Sequence, residues 1–290
     1  MQTPAEPYPA LAKALGLPGL FFKREDLHPY GSHKGRSIPF MIDRYYGSGE
    51  RNFAISSSGN AALAAALHAK KINGSGAESI SLDIFVGQNI AADKVAKLRA
   101  ISDERIRVLN KERPLQALMQ AVDEGARSLR QSTDDVALEG YKTLAEELAE
   151  IGNAGAIFMG TSSGTTAAAL ARFFSNQNKS AQIHIVQTSS CHPISAAFED
   201  YDGPNEKSVA DAIVDITAIR KPALIPLILK TGGRGWIATN DDIGAALDLT
   251  LEHTGLTISP NSALSVVGAM HAAYRGFEFD GAAVCLICGA

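Results

Sequence analysis

At three places in this 290-residue chain an extended, apolar or β-branched run gives way to a cluster of Gly, Ser, Thr or Asn, and a helix-forming stretch follows at once. The clusters are Gly31-Ser32-His33-Lys34-Gly35-Arg36, Ser56-Ser57-Ser58-Gly59-Asn60-Ala61-Ala62 and Gly160-Thr161-Ser162-Ser163-Gly164-Thr165-Thr166. Strand, open loop, helix, repeated along a chain, leaves few architectures other than an α/β fold with parallel strands. The runs at 20–23, 52–56, 80–86, 106–108, 156–159, 182–186, 236–238 and 283–287 predict strands. Several are apolar throughout, as strands covered on both faces are. Ala-, Leu-, Lys- and Glu-rich stretches predict helices over 61–71, 91–100, 115–127, 141–151, 165–174, 241–253 and 263–275. Thr239 followed by Asn240, Asp241 and Asp242 reads as a helix cap, and Gly255 as the glycine that ends that helix.

Composition excludes several functions. Lys and Arg number 27 against 31 Asp and Glu, a net charge of −4. That is not the footprint of a nucleic-acid binder. No apolar run reaches the roughly 20 residues of a membrane span. The N-terminus has neither the basic nor the apolar stretch of a signal peptide. Three cysteines are too few for a disulfide framework, so a reducing, cytoplasmic compartment is expected. The chain ends one residue after Gly289, so an appended regulatory domain is not expected. The length suits two modest lobes, and the polar stretch 200–206 reads as a surface loop.

Each cluster carries its own chemistry. A lysine at a helix start sits near the positive dipole end, which favours its neutral amine and suits a Schiff base. From this segment alone, a solvated lysine in a turn is the favoured reading of Lys34. Three serines with Gly-Asn ahead of a helix exceed what a cap requires and offer hydroxyls and open N–H groups to a carboxylate or phosphate. The cluster at 160–166 is a third loop of this kind, with the donors of a phosphate cradle. It lacks the Gly-Lys-Ser/Thr of a P-loop and the Gly-x-Gly-x-x-Gly of a dinucleotide site. A phosphate, an amine-reactive aldehyde and an amino-acid carboxylate together point to pyridoxal phosphate. Cys288 closes the last predicted strand, where ligands of open α/β sheets bind, and its thiol suits a ring nitrogen. Cys285 and Cys288 form a Cys-x-x-Cys, but strand alternation sets the two on opposite faces, against a shared metal.

The order Ser32-x-Lys34, Ser57-Ser58-Gly59-Asn60, the loop 160–166 and the final Cys288-Gly289 resembles fold-type II pyridoxal-phosphate enzymes, a group including threonine synthase, serine/threonine dehydratase, cysteine synthase and the tryptophan synthase β subunit. The resemblance runs from Thr3-Pro4 to Gly289. It implies a two-lobed, three-layer αβα architecture: a smaller lobe over 30–150, a larger one over 1–29 and 151–290, and the cofactor in the cleft between them. It implies Lys34 as the Schiff-base lysine, with His33 beside the cofactor and Asn60 on its 3′ oxygen. Gly160, Thr161, Ser162, Ser163, Gly164 and Thr165 would hold the phosphate, and Cys288 the ring nitrogen. Ser57, Ser58, Gly59, Asn60 and Ala61 would hold the substrate carboxylate. A homodimer acting on a small amino acid, with no metal ligand, is the accompanying expectation.

The Glu139-Gly140-Tyr141-Lys142-Thr143 stretch, the segment 191–194 and the segment 208–213 resemble threonine synthases. Ala137 and Ala61 stand where that branch often has a basic residue and Thr or Ser that serve a substrate phosphate. Ser-Ser-x-Gly-Asn-Ala and the final cysteine resemble serine dehydratases. His33 resembles the tryptophan synthase β subunit, and Ser259 stands where Glu is expected before Pro-x-Ser-Ala. The expected activity is elimination or replacement at Cβ or Cγ of a hydroxy or phospho-hydroxy amino acid, threonine synthase-like. A dehydratase is the alternative, and a cofactor-binding pseudoenzyme a minor one.

Overall fold

A computed structural model describes residues 2–88, 92–177 and 181–289, apart from the Asp93 side chain. In chain order its elements are β1 (Ala5–Pro7), α1 (Pro9–Ala14), β2 (Leu20–Arg24), α2 (Lys34–Gly47), β3 (Asn52–Ser56), α3 (Asn60–Asn73), β4 (Ser81–Gly87) and α4 (Ala92–Arg99). Next come β5 (Ile106–Lys111), α5 (Pro114–Asp123), β6 (Arg127–Ser128), α6 (Val136–Glu139), α7 (Lys142–Ala149), β7 (Ala154–Gly160) and α8 (Thr165–Phe174). The remainder are β8 (Gln182–Thr188), α9 (Lys221–Lys230), β9 (Gly235–Ala238), α10 (Asn240–Thr254), α11 (Pro260–Tyr274) and β10 (Ala282–Ile287). No described helix is long and apolar enough to cross a membrane.

The elements fall into two compact units, Met1–His28 with Tyr141–Ala290, and Pro29–Gly140. The first carries a sheet of order β1-β2-β10-β7-β8-β9, parallel except for the antiparallel β1–β2 pair. Phe158, Val186, Trp236 and Cys285 alternate onto one core with Ala263, Val266 and Val267 of α11. Residues 141–150, placed with the smaller lobe by sequence, pack here: α7 lies against α8, and the buried Lys23 ammonium meets Glu147 Oε2 at 2.5 Å and the Thr3 carbonyl at 2.7 Å. An ammonium this deep needs such partners, because leaving it unpaired is costly.

The second unit carries the parallel sheet β5-β4-β3-β6. Pleating divides β3 between two cores. Phe53 and Ile55 pack with Ile38, Met41 and Ala65 of α2 and α3, while Ala54 packs with Leu118 of α5. This unit too is an α/β layer structure.

Most expected elements are present, and the differences have local causes. The helix expected over 115–127 stops at Asp123, because Gly125 adopts φ +100° and Arg127 joins β6. The α10 cap forms as expected: Asp242 N–H donates to Thr239 Oγ1 at 3.1 Å, and Thr239 N–H donates to Asp242 Oδ2 at 2.8 Å. Gly255 ends that helix at φ +70°. The segment 200–206 lacks helix or strand, matching the expected loop. Ala91, in one expected helix, lies outside the described residues. The Cys-x-x-Cys geometry differs from expectation. β10 ends at Ile287, so Cys288 leaves the strand and both thiols meet α11: Cys285 Sγ donates to the Ser265 carbonyl at 3.4 Å, and Cys288 Sγ lies 3.6 Å from Ser262 Oγ. Burial pushes the Cys285 thiol up to about 12, which keeps it a neutral packing group.

Candidate active site

In the second unit Lys34 is the first residue of α2, and no side chain caps that helix. The loop ahead of it turns through Gly31 at φ +73°. Lys34 and His33 are half-buried, while Ser32 is fully buried. The Ser32 hydroxyl has no partner among the described residues. A buried, unsatisfied hydroxyl two residues from a half-buried lysine is a group awaiting a polar ligand.

The second cluster lies at the start of α3. Its N-cap is Gly59, with no side-chain cap although three serines precede it. Ser57, Ser58, Asn60 and Ala61 are half-buried, and Gly59 is exposed with open space where a Cβ would stand. The Gly59 N–H donates to Ser57 Oγ at 3.3 Å, so Ser57 braces the loop while its O–H remains a donor. None of the three serines caps α3. α2 and α3 pack against each other, which places Lys34 and the 57–61 loop on one helix pair.

In the first unit β7 ends at Gly160 and α8 begins at Thr165. Gly164 is the N-cap in the left-handed conformation, φ +83°, with no side-chain cap. A Cβ there would stand 2.8 Å from Leu224 Cδ2, so glycine is required both by conformation and by space. The first-turn amides of α8 have no side-chain cap, an arrangement that suits a phosphate. Ser163 Oγ and Thr165 Oγ1 lie 3.1 Å apart at the mouth of this turn. Two expected ligands are partly committed elsewhere. Thr161 N–H donates to the Val186 carbonyl at 2.9 Å. Ser162 Oγ accepts the N–H groups of Val214 and Asp215, each at 3.1 Å, keeping its hydroxyl proton as the free donor.

Cys288 is buried beyond the end of β10. Ser259, where the resemblance calls for Glu, caps α11: its Oγ accepts the Ser262 N–H at 3.2 Å and donates to the Gly289 carbonyl at 2.8 Å. One contributor escaped sequence reading. Gln187 is fully buried; its Nε2 donates to the Ser162 carbonyl at 3.3 Å, and its Oε1 accepts the amides of Ile194 at 2.7 Å and Ser195 at 2.9 Å. The available signal was an amide directly after the run Ile183-His184-Ile185-Val186, still within a strand-like stretch. The second unit thus presents the uncapped head of α3 and an orphaned hydroxyl near Lys34, which suit a carbonyl compound with an anionic group, and the first unit presents the uncapped head of α8, which suits a phosphate.

The chain is 25% identical to the threonine synthase of Methanocaldococcus jannaschii over 302 residues, covering 96% of this chain and 72% of that one. Its fold is similar to a pyridoxal 5′-phosphate-dependent aspartate racemase, with TM-score 0.84 and 20% identity over 100% of this chain and 90% of the other. It is also similar to the processed form of threonine deaminase isoform 2 from Solanum lycopersicum, with TM-score 0.82 and 19% identity over 100% and 79%. The model of the family described as pyridoxal-phosphate dependent enzyme matches residues 1–289, so the chain belongs to that family, with pyridoxal phosphate as its cofactor.

Proposed function

We propose that this enzyme eliminates or replaces a group at Cβ or Cγ of a hydroxy or phospho-hydroxy amino acid, in the manner of threonine synthase. The observation that carries the reading is the uncapped 57–61 loop at the head of α3, on the helix pair that bears Lys34, where it would suit a substrate carboxylate. The likeness to a threonine synthase along 96% of the chain supports it.

When bound, pyridoxal phosphate supplies an electrophilic aldehyde carbon and an electron sink for charge developing at the substrate Cα. Lys34 Nζ would hold the cofactor at its aldehyde carbon, and its amine would serve as the base for the Cα proton. The Ser57 and Ser58 hydroxyls and the amides of Gly59, Asn60 and Ala61 hold the substrate carboxylate and so orient the Cα–H bond. Asn60 also serves the 3′ oxygen, beside His33. The first-turn amides of α8, with Ser163, Thr165 and the free Ser162 proton, hold the phosphate between Gly160 and Gly164. Cys288 is the neutral group assigned to the ring nitrogen, and it draws less charge into the ring than an acid would.

One observation favours dehydration as the second reading. Ala137 is fully buried and its carbonyl accepts the Ser37 hydroxyl at 2.8 Å. By the resemblance to threonine synthases this is the position of a basic residue that serves a substrate phosphate, and here it carries an uncharged methyl. The test is product analysis on the reconstituted enzyme with L-serine, L-threonine and O-phospho-L-homoserine. Threonine from phosphohomoserine supports the first reading, and 2-keto acid with ammonia from serine or threonine the second. A spectrum and product profile unmoved by all three would overturn both and leave a cofactor-binding protein without turnover.

A further inference from the structure

Tyr30, four residues before Lys34, is tied into a relay that the proposed chemistry does not use. Its hydroxyl lies 2.7 Å from His68 Nδ1, and His68 Nε2 lies 2.7 Å from Asp43 Oδ1. Three segments meet here: the loop entering α2, α3 through His68, and α2 through Asp43. The His68 side chain is 7% exposed and Asp43 62%. A carboxylate only accepts, so Nε2 carries a proton toward Asp43, and in the neutral ring Nδ1 accepts the Tyr30 O–H. Burial first, and then the Asp43 charge, hold the Tyr30 phenol above its ordinary value, so it remains a donor. The Tyr30 and His68 rings meet edge to face at 5.8 Å.

The neighbours of His68 on α3 include Ala64, Ala65 and Ala69, all fully buried. Packing alone would favour an apolar residue there, and a buried imidazole survives because both nitrogens are satisfied. Between the anchored Tyr30 and Lys34 stands Gly31, exposed, at φ +73°, with open space around it. Such a glycine is a swivel unless the chain beside it is fixed.

We propose that Tyr30, held by His68 and Asp43, is a positioning residue that fixes the loop delivering Lys34, so that the amine meets the cofactor aldehyde in a single orientation. The proposal rests on Lys34 being the lysine that holds the cofactor. The step concerned is addition of the Lys34 amine to the aldehyde carbon with loss of one water.

The test compares cofactor-free protein, wild type and variants, in two binding reactions. Covalent capture of pyridoxal phosphate is timed by borohydride trapping, and equilibrium binding is measured for pyridoxine 5′-phosphate, which has no aldehyde. Tyr30→Phe and His68→Leu are each expected to slow capture about tenfold, the equivalent of one buried hydrogen bond, and to leave pyridoxine phosphate binding unchanged. His68→Gln, whose amide offers one donor and one acceptor, is expected to restore capture. Amide exchange at residues 30–33 should quicken about tenfold in Tyr30→Phe, a result independent of which lysine reacts. Unchanged capture in Tyr30→Phe overturns the proposal, as does an equal fall in capture and pyridoxine phosphate binding, which would mark a general structural role. An adduct that persists in Lys34→Ala would overturn the assignment of Lys34, while the exchange data would still report on the relay.

Discussion

Lowering the pH should destabilise the first unit through one residue, His184. Its ring is fully buried, stacked on Phe158 at 4.6 Å and edge-on to Phe277 at 5.3 Å. Trp236 Nε1–H donates to His184 Nδ1 at 3.1 Å, and Nε2 lies 3.0 Å from Gln182 Oε1. Nδ1 is thus the acceptor and Nε2–H the donor, and a second proton would face the indole N–H. Burial, with the charge of Arg234 behind it, lowers the folded pKa from 6.5 to about 3. The unfolded chain therefore binds a proton between those values that the folded chain refuses. Stability from this site is complete above the unfolded pKa and is lost as pH falls through the window toward the folded one. From about pH 6.5 to about pH 5 the loss is roughly 1.5–2 kcal/mol. Denaturant titrations followed by fluorescence of the single tryptophan, Trp236, would measure it beside the titrating ring. His184→Gln keeps a donor and an acceptor and cannot titrate, so its stability should fall less across that range by this amount. Parallel pH profiles for wild type and His184→Gln would refute the reasoning.

Two further changes probe the loops. Gly164→Ala forces a side chain into left-handed backbone and against Leu224, with an expected cost of about 1–3 kcal/mol and weaker cofactor retention, read by thermal unfolding and cofactor titration. Ser57→Ala or Ser58→Ala removes a donor to a carboxylate and should raise KM about 10- to 100-fold while cofactor affinity stays within about twofold, read by steady-state kinetics and a pyridoxal phosphate titration.

The clusters were legible in the sequence because small polar residues between an extended run and a helix are local signals. β3, ending at Ser56, and α8, over Thr165–Phe174, fall where the residue pattern puts them. Elements made by tertiary pairing were not legible. β1 is three residues bounded by prolines, and β6 is two residues that pair with β3 at a distance. α9 carries prolines at its start and at Pro226, so its sequence reads as loop. Placement of α7 with the first unit depends on Lys23 reaching Glu147, 124 residues away. The Tyr30–His68–Asp43 relay and the Gln187 brace had the same obscurity, since each joins residues that only packed helices or strands bring together. Ser162 was legible as a loop hydroxyl, but its bonds to Val214 and Asp215 were not.

The central claim is that Lys34 is the residue that holds the cofactor. Borohydride reduction of the reconstituted enzyme, followed by proteolysis and mass spectrometry, tests it directly. A single phosphopyridoxyl group is expected on the peptide containing Lys34, and none on the Lys34→Ala protein. A reduced adduct on any other lysine, or an unmodified Lys34 in active enzyme, would contradict it.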